Sequence, residues 1–116
     1  MVGMLHMELM ARYVPIIRAL LSHELASRGM GQQEIAKRLH ITQAAVSQYL
    51  RGIRAPEALE VSGKPKEMAS KLASILEKED MEESELAGWY LKIYASFSPE
   101  AEPSWLLDCV SRRERE

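Results

Sequence analysis

At 116 residues the chain is long enough for one compact domain, or for a small domain with an extension. Its hydrophobic share of 47% rules out wholesale disorder, and no run approaches the ~20 apolar residues of a membrane-spanning helix. The net charge of −2 hides an asymmetry: residues 1–78 carry 11 basic and 7 acidic side chains, residues 79–116 only 4 basic and 10 acidic. The first part therefore tolerates a polyanion and the second repels one.

Cys109 stands alone, which leaves no intrachain disulfide and no cysteine-based zinc or iron–sulfur site. The N-terminus has neither the basic start nor the cleavage site of a secretory signal, so a cytoplasmic location is expected. No cofactor and no metal are expected. The absence of Asn, beside abundant Glu, Arg and Lys, leans toward a heat-adapted source.

In residues 3–13, Met4, Met7 and Met10 recur three apart beside Leu5 and Leu9, the stripe of a helix packed on a core. Pro15 suits the first turn of a helix and breaks an interior, so a separate second helix is predicted from Pro15 to Arg28. Ile17, Leu20, Leu21 and Leu25 face inward on it, and Gly29 stops it. His23-Glu24 opens a zinc-protease signature, but position 27 is Ser and the second histidine is missing. Gly29-Met30-Gly31 is not a dinucleotide loop, because no strand precedes it and Glu34 stands where a third Gly belongs.

Residues 31–54, G-Q-Q-E-I-A-K-R-L-H-I-T-Q-A-A-V-S-Q-Y-L-R-G-I-R, predict a short helix, a tight turn and a second helix. Ile35, Ala36 and Leu39 form the inward stripe of the first; Val46, Tyr49 and Leu50 form that of the second, with Ile41 filling the turn. Ala36 is small where two steeply crossed helices touch. Thr42 is a good N-cap, since its hydroxyl accepts a backbone N–H of the first turn. Gln43, Ala44, Ser47, Gln48 and Arg51 are left on the outer face. All four Gln of the chain and its one Thr lie within these residues. Such a face suits the DNA major groove, where Gln pairs with adenine, Arg prefers guanine and Ser serves several bases. The bland alternative is a solvated helix hairpin with Gln as filler.

V-P-I-I-R-A-L followed by Q-Q-E-I-A-K-R-L-H-I-T-Q-A-A-V-S-Q-Y-L-R-G resembles the helix-turn-helix of phage-repressor-like (Cro-like) DNA-binding domains, and looks like the archaeal branch of predicted transcriptional regulators. The resemblance covers residues 14 to 54, and T-Q-A-A-V-S-Q-Y-L is its most specific part. It implies base contacts from Gln43, Ala44, Ser47 and Gln48, and a phosphate contact from Gln32 and, by extension, Gln33. One departure lies in the turn, where the family commonly has Gly in a left-handed conformation and this chain has His40, a residue less penalised there than most.

From Ala55 to Lys66 the chain reads as mostly loop, with Pro56, Gly63 and Pro65, and with Lys64 and Lys66 as solvated or backbone-touching cations. Pro65 opens a helix with Met68, Leu72, Ile75 and Leu76 inward, closed by Lys78-Glu79-Asp80. Asp80-Met81-Glu82-Glu83 has the form of a capping box. The helix after it carries Leu86, Trp89, Tyr90, Ile93, Tyr94 and Phe97 on a broad apolar face. Aromatic residues are favoured both in cores and at subunit seams, and the pattern leaves the two open. Pro99 and Pro103 bound a linker, Ser104 to Val110 forms a last short helix, and residues 111–116 are a frayed charged end.

The expected architecture is all-α: a lambda-repressor-like helix-turn-helix domain over residues 1–62, with motif 31–54, and a C-terminal helical extension over 63–116 that completes the core and can dimerise. The expected partner is double-stranded DNA, met as a homodimer, since one motif covers too few base pairs for useful specificity. Gln43, Ala44, Ser47, Gln48 and Arg51 are the base-reading set; Gln32, Gln33, Lys37, Arg38, Thr42 and Arg54 are the phosphate set. A rival reading is an interaction protein, such as an antitoxin-like subunit, that uses the aromatic C-terminal helix. An enzyme is disfavoured: His6, His23 and His40 are scattered, and neither a catalytic carboxylate pair nor a phosphate-cradling loop is present.

Overall fold

A computed structural model describes residues 2–97, without the side chains of residues 2–7, 9 and 10. Within them the chain is all-α. Helix α1 spans Val2–Ser27, α2 Gln32–Leu39, α3 Gln43–Leu50, α4 Lys64–Lys78 and α5 Glu83–Ser96; a 3-10 turn covers Pro56–Glu60. The methionine and leucine stripe at positions 4–10 concerns side chains outside the described residues. So do the Pro99–Pro103 linker, the helix at 104–110, Cys109 and the charged end.

The two N-terminal helices expected on either side of Pro15 are one. Pro15 lies inside α1. Its missing N–H leaves the Ala11 carbonyl without a helical donor, and Ala11 is exposed, so water can serve that oxygen. Packing outweighs the local penalty: Tyr13, Ile16, Ile17, Ala19, Leu20, Leu21 and Leu25 are all buried along this helix. Helix α1 is the spine of the fold and touches every other helix.

The first three helices end alike. Gly29 and Met30 donate to the carbonyls of Ala26 and Leu25, His40 and Ile41 to those of Lys37 and Ala36, and Gly52 and Ile53 to those of Tyr49 and Gln48. Each is a Schellman closure around a left-handed residue: Gly29 at φ 92°, His40 at φ 57° and Gly52 at φ 73°. These closures turn the chain sharply and fix how α2 and α3 meet.

Helices α4 and α5 share the core of α1–α3: Leu72, Leu76, Leu86, Tyr90 and Ile93 belong to the same buried cluster as Tyr13, Ile35, Leu39 and Val46. Met68 and Ile75 are only partly buried, and Ala69 and Ala73 take the innermost places of α4. Arg28 rivets α1 to α4, donating to the Ser74 hydroxyl at 2.8 Å, the Ser70 hydroxyl at 2.9 Å and the Glu77 carboxylate at 3.0 Å. The segment expected as loop is more ordered than that: Ala58 is buried in the 3-10 turn, and α4 already begins at Lys64.

The expected capping box does not form. The N-cap of α5 is Glu82, without a side-chain hydrogen bond. Met81 is drawn into the core instead, and Asp80 turns toward Arg38 at 3.4 Å. The aromatic face of α5 packs inward: Leu86, Tyr90 and Ile93 are buried, and the rings of Tyr94 and Phe97 lie 5.1 and 4.4 Å from that of Tyr13.

Candidate nucleic-acid interface

Helix α2 is short and strongly two-sided. Ile35, Ala36 and Leu39 are buried, while Gln32, Gln33 and Lys37 are exposed. Helix α2 packs on α3, and the turn between them decides what α3 presents. That turn holds His40 at φ 57° and ψ 41°. A left-handed L-residue costs on the order of 1–2 kcal/mol, and two contacts hold it there. One is the Schellman closure; the other runs from His40 Nε2 to the Met81 carbonyl oxygen, 2.8 Å away. The carbonyl only accepts, so Nε2 carries the hydrogen in this contact.

Thr42 starts α3 as its composition suggests. Its hydroxyl oxygen accepts the Ala45 N–H at 3.1 Å, which removes one unpaired donor from the first turn. Val46 and Tyr49 are buried against the core, and Leu50 is half-buried. The opposite side carries Gln43, Ala44, Gln48 and Arg51, all exposed, and Ser47, half-buried. Thr42, the N-cap of α3, and Arg54, three residues past its C-cap, are both exposed. The side chains grouped from the sequence as a reading set thus share one accessible face.

The electrostatics of this face are one-sided. Between Glu34 and Glu57 there is no carboxylate, while Lys37, Arg38, Arg51 and Arg54 lie within that interval. Among the described residues, Lys37, Arg51 and Arg54 form no ion pair. Arg54 lies with its guanidinium 5.2 Å from the centre of the Tyr49 ring.

Arg38, expected in the phosphate set, is tied into the protein itself. Its Nε donates to Glu34 at 2.6 Å and one terminal nitrogen donates to the Leu76 carbonyl at 2.6 Å, leaving its side chain 17% exposed. It is a strut between α2 and the end of α4, with its Nε and one terminal nitrogen already engaged inside the protein. The hydrogen bond from Arg38 holds the Glu34 carboxyl below its ordinary value, with the nearby charges of Arg38 and Lys37 adding to the effect against partial desolvation. The i to i+4 spacing of Glu34 and Arg38 was the sequence signal for this pairing.

No group of three or more His, Cys, Asp or Glu among the described residues is placed to hold a metal ion, and no described helix is long and apolar enough to cross a membrane. His23 is half-buried on α1.

Residues 24–62 match the family model described as helix-turn-helix, which takes in the end of α1, the whole motif and the 3-10 turn, about a third of the chain. Searches of curated proteins and of solved structures gave no match. The family match and the paired helices around His40 agree on the same residues. The chain therefore contains a phage-repressor-like helix-turn-helix domain within an all-α fold.

Proposed function

We propose that the protein is a sequence-specific DNA-binding transcriptional regulator that lays α3 in the major groove and acts as a homodimer. The observation that carries this reading is the solvent-facing side of α3, where Gln43, Ala44, Gln48 and Arg51 are exposed around Ser47 and no carboxylate intervenes. Gln43, Ser47 and Gln48 read base edges, Ala44 offers a methyl to thymine, and Arg51 reaches a base or a phosphate. Gln32, Gln33, Lys37, Thr42 and Arg54 flank that face and set its register on the backbone. The resemblance to archaeal regulators belongs to this reading and rests on the same motif residues.

The rival interaction-module reading loses its main support. The aromatic helix it needs at the surface has Leu86, Tyr90 and Ile93 buried, and Tyr94 and Phe97 set against Tyr13.

Selection of duplexes from a random pool, repeated at several salt concentrations, tests the proposal. The expected product is a roughly palindromic site whose half-sites lie about one helical turn, ~34 Å, apart. Recovery of unrelated sequences with equal affinity would remove sequence reading, and a single half-site bound by a monomer would remove the dimer.

A further inference from the structure

Arg54 is an exposed cation on a segment whose backbone is held from both sides. Upstream, the Ile53 and Arg54 N–H groups both donate to the Gln48 carbonyl, at 3.0 and 3.3 Å. Downstream, Ala55 is left-handed at φ 51° and Pro56 restricts the next bond. Its side chain lies over the Tyr49 ring, 5.2 Å from the centroid, and Tyr49 is 1% exposed and anchored in the core. A long, flexible arginine is thereby given a rigid flat seat at the C-terminal end of α3. Neither a carboxylate among the described residues nor a salt bridge competes for it.

We infer that Tyr49 is a positioning residue for DNA binding, holding the Arg54 guanidinium ready for a backbone phosphate beside the reading helix. This rests on the DNA-binding reading and adds to it a role for a side chain otherwise counted as core. The physics is that of preorganisation. An arginine already ordered on an aromatic face loses less conformational freedom when it meets a phosphate, and its edge N–H groups stay available while its face is stacked. Lysine keeps the charge but lacks the flat group that rests on the ring.

The test measures binding of a selected duplex at several salt concentrations, by the wild type and by Arg54→Ala, Arg54→Lys, Tyr49→Phe, Tyr49→Leu and the Tyr49→Leu/Arg54→Ala pair. Thermal melts are run beside each titration. Arg54→Ala is expected to weaken binding about tenfold and to lower the salt slope by about 1. Arg54→Lys should weaken it about three- to fivefold, and Tyr49→Phe, which keeps the ring, less than twofold. Tyr49→Leu should reproduce the Arg54→Lys loss, yet change nothing further once Arg54 is Ala. Additive losses in the pair, or wild-type affinity in a folded Tyr49→Leu protein, would overturn the role. Should Tyr49→Leu fail to fold, Arg54→Lys decides: wild-type affinity there overturns the inference, and the stated loss supports it. A wild type that binds no duplex would instead sink the DNA-binding reading and this role with it, a result distinct from normal binding that ignores Tyr49.

Discussion

His40 Nε2 sits 2.8 Å from the carbonyl oxygen of Met81, 41 positions along the chain. The contact ties the turn of the helix-turn-helix to the junction between α4 and α5, and it crosses from the family-matched segment to the part outside it. Two energies compete at this position. The left-handed backbone at φ 57° penalises any side chain, while the imidazole gains a hydrogen bond. His40→Ala keeps the strain and loses the bond, so it should destabilise by about 1–2 kcal/mol. His40→Gly loses the bond but relieves the strain, and should come out about 1 kcal/mol more stable than the alanine variant. Urea unfolding of the three proteins measures this. Equal midpoints for Ala and Gly would show that the turn is not strained.

Arg38 should report on stability and be silent on DNA. Removing it leaves the Leu76 carbonyl without its donor, and Arg38→Ala is expected to cost about 1–3 kcal/mol for that group, while the exposed Glu34 carboxylate turns to water. The sign of the pH effect follows from Glu34, whose folded value lies below the ordinary 4.5. The stabilisation is fully present above about that pH and is lost as pH falls through the folded value. Arg38→Ala should therefore flatten the acid limb of the stability profile between wild type and variant. Its salt slope for DNA should equal that of the wild type; a shallower slope would return Arg38 to the phosphate set.

Gln43 and Lys37 separate reading from holding. Gln43→Ala is expected to lose about 1–3 kcal/mol on the selected site and almost nothing on random duplex. Lys37, exposed and unpaired on α2, should behave the other way. Lys37→Ala weakens both duplexes alike and reduces the salt slope by about 1. Competition titrations at three or more salt concentrations give both quantities. Equal weakening by Gln43→Ala on the two duplexes would mean that it does not read sequence.

The motif was legible because its signals are local. A capping Thr42, a small Ala36 at the crossing and a periodic Val46-Tyr49 stripe each act within one or two turns, and each is where its chemistry places it. What local signals do not carry is tertiary. Pro15 predicts a break by its own geometry, yet seven buried apolar side chains along α1 keep the helix running. Asp80 has the right neighbours for a cap, but burial of Met81 and the use of its carbonyl by His40 move the helix start to Glu83. Arg38 looks like any basic residue of the motif until the end of α4 arrives beside it. Periodicity places Tyr49 in the core, but the arginine above its ring lies five residues on and across a turn that sequence periodicity does not resolve.

Tyr90 predicts a loss of stability in alkali. Burial pushes its hydroxyl above the ordinary 10.0, partly opposed by the nearby Arg18, whose guanidinium lies 5.8 Å from the ring centre. A raised value means that the folded state keeps the proton longer than the unfolded one. The contribution is complete below about pH 10 and is lost as pH rises from there through the folded value. Tyr90→Phe removes that step while keeping the packed ring. The difference in unfolding free energy between the two proteins should be flat up to about pH 9 and shift in favour of the phenylalanine variant above it. A constant difference across the range would show that Tyr90 ionises equally well in both states.

The sharpest test of how the chain is divided is to cut it. A boundary near residue 62 separates the motif from α4 and α5, yet these two helices supply Leu72, Leu76, Leu86, Tyr90 and Ile93 to the common core. Each such side chain contributes roughly 1.5–3 kcal/mol when fully buried, so together they rival the ~5–15 kcal/mol of a whole small domain. Arg28 would also lose Ser70, Ser74 and Glu77, leaving a half-buried guanidinium with only Glu24 at 3.5 Å. Residues 1–62 alone are therefore expected to show weak helicity and no cooperative melt, whereas residues 1–97 should melt in one transition, as a single buried core requires. A cooperative melt of the shorter fragment would make α4 and α5 an appendage to an independent reading head. In that event the His40–Met81 tie would have to matter for how the head is oriented, and the His40→Ala variant would lose DNA affinity without losing stability.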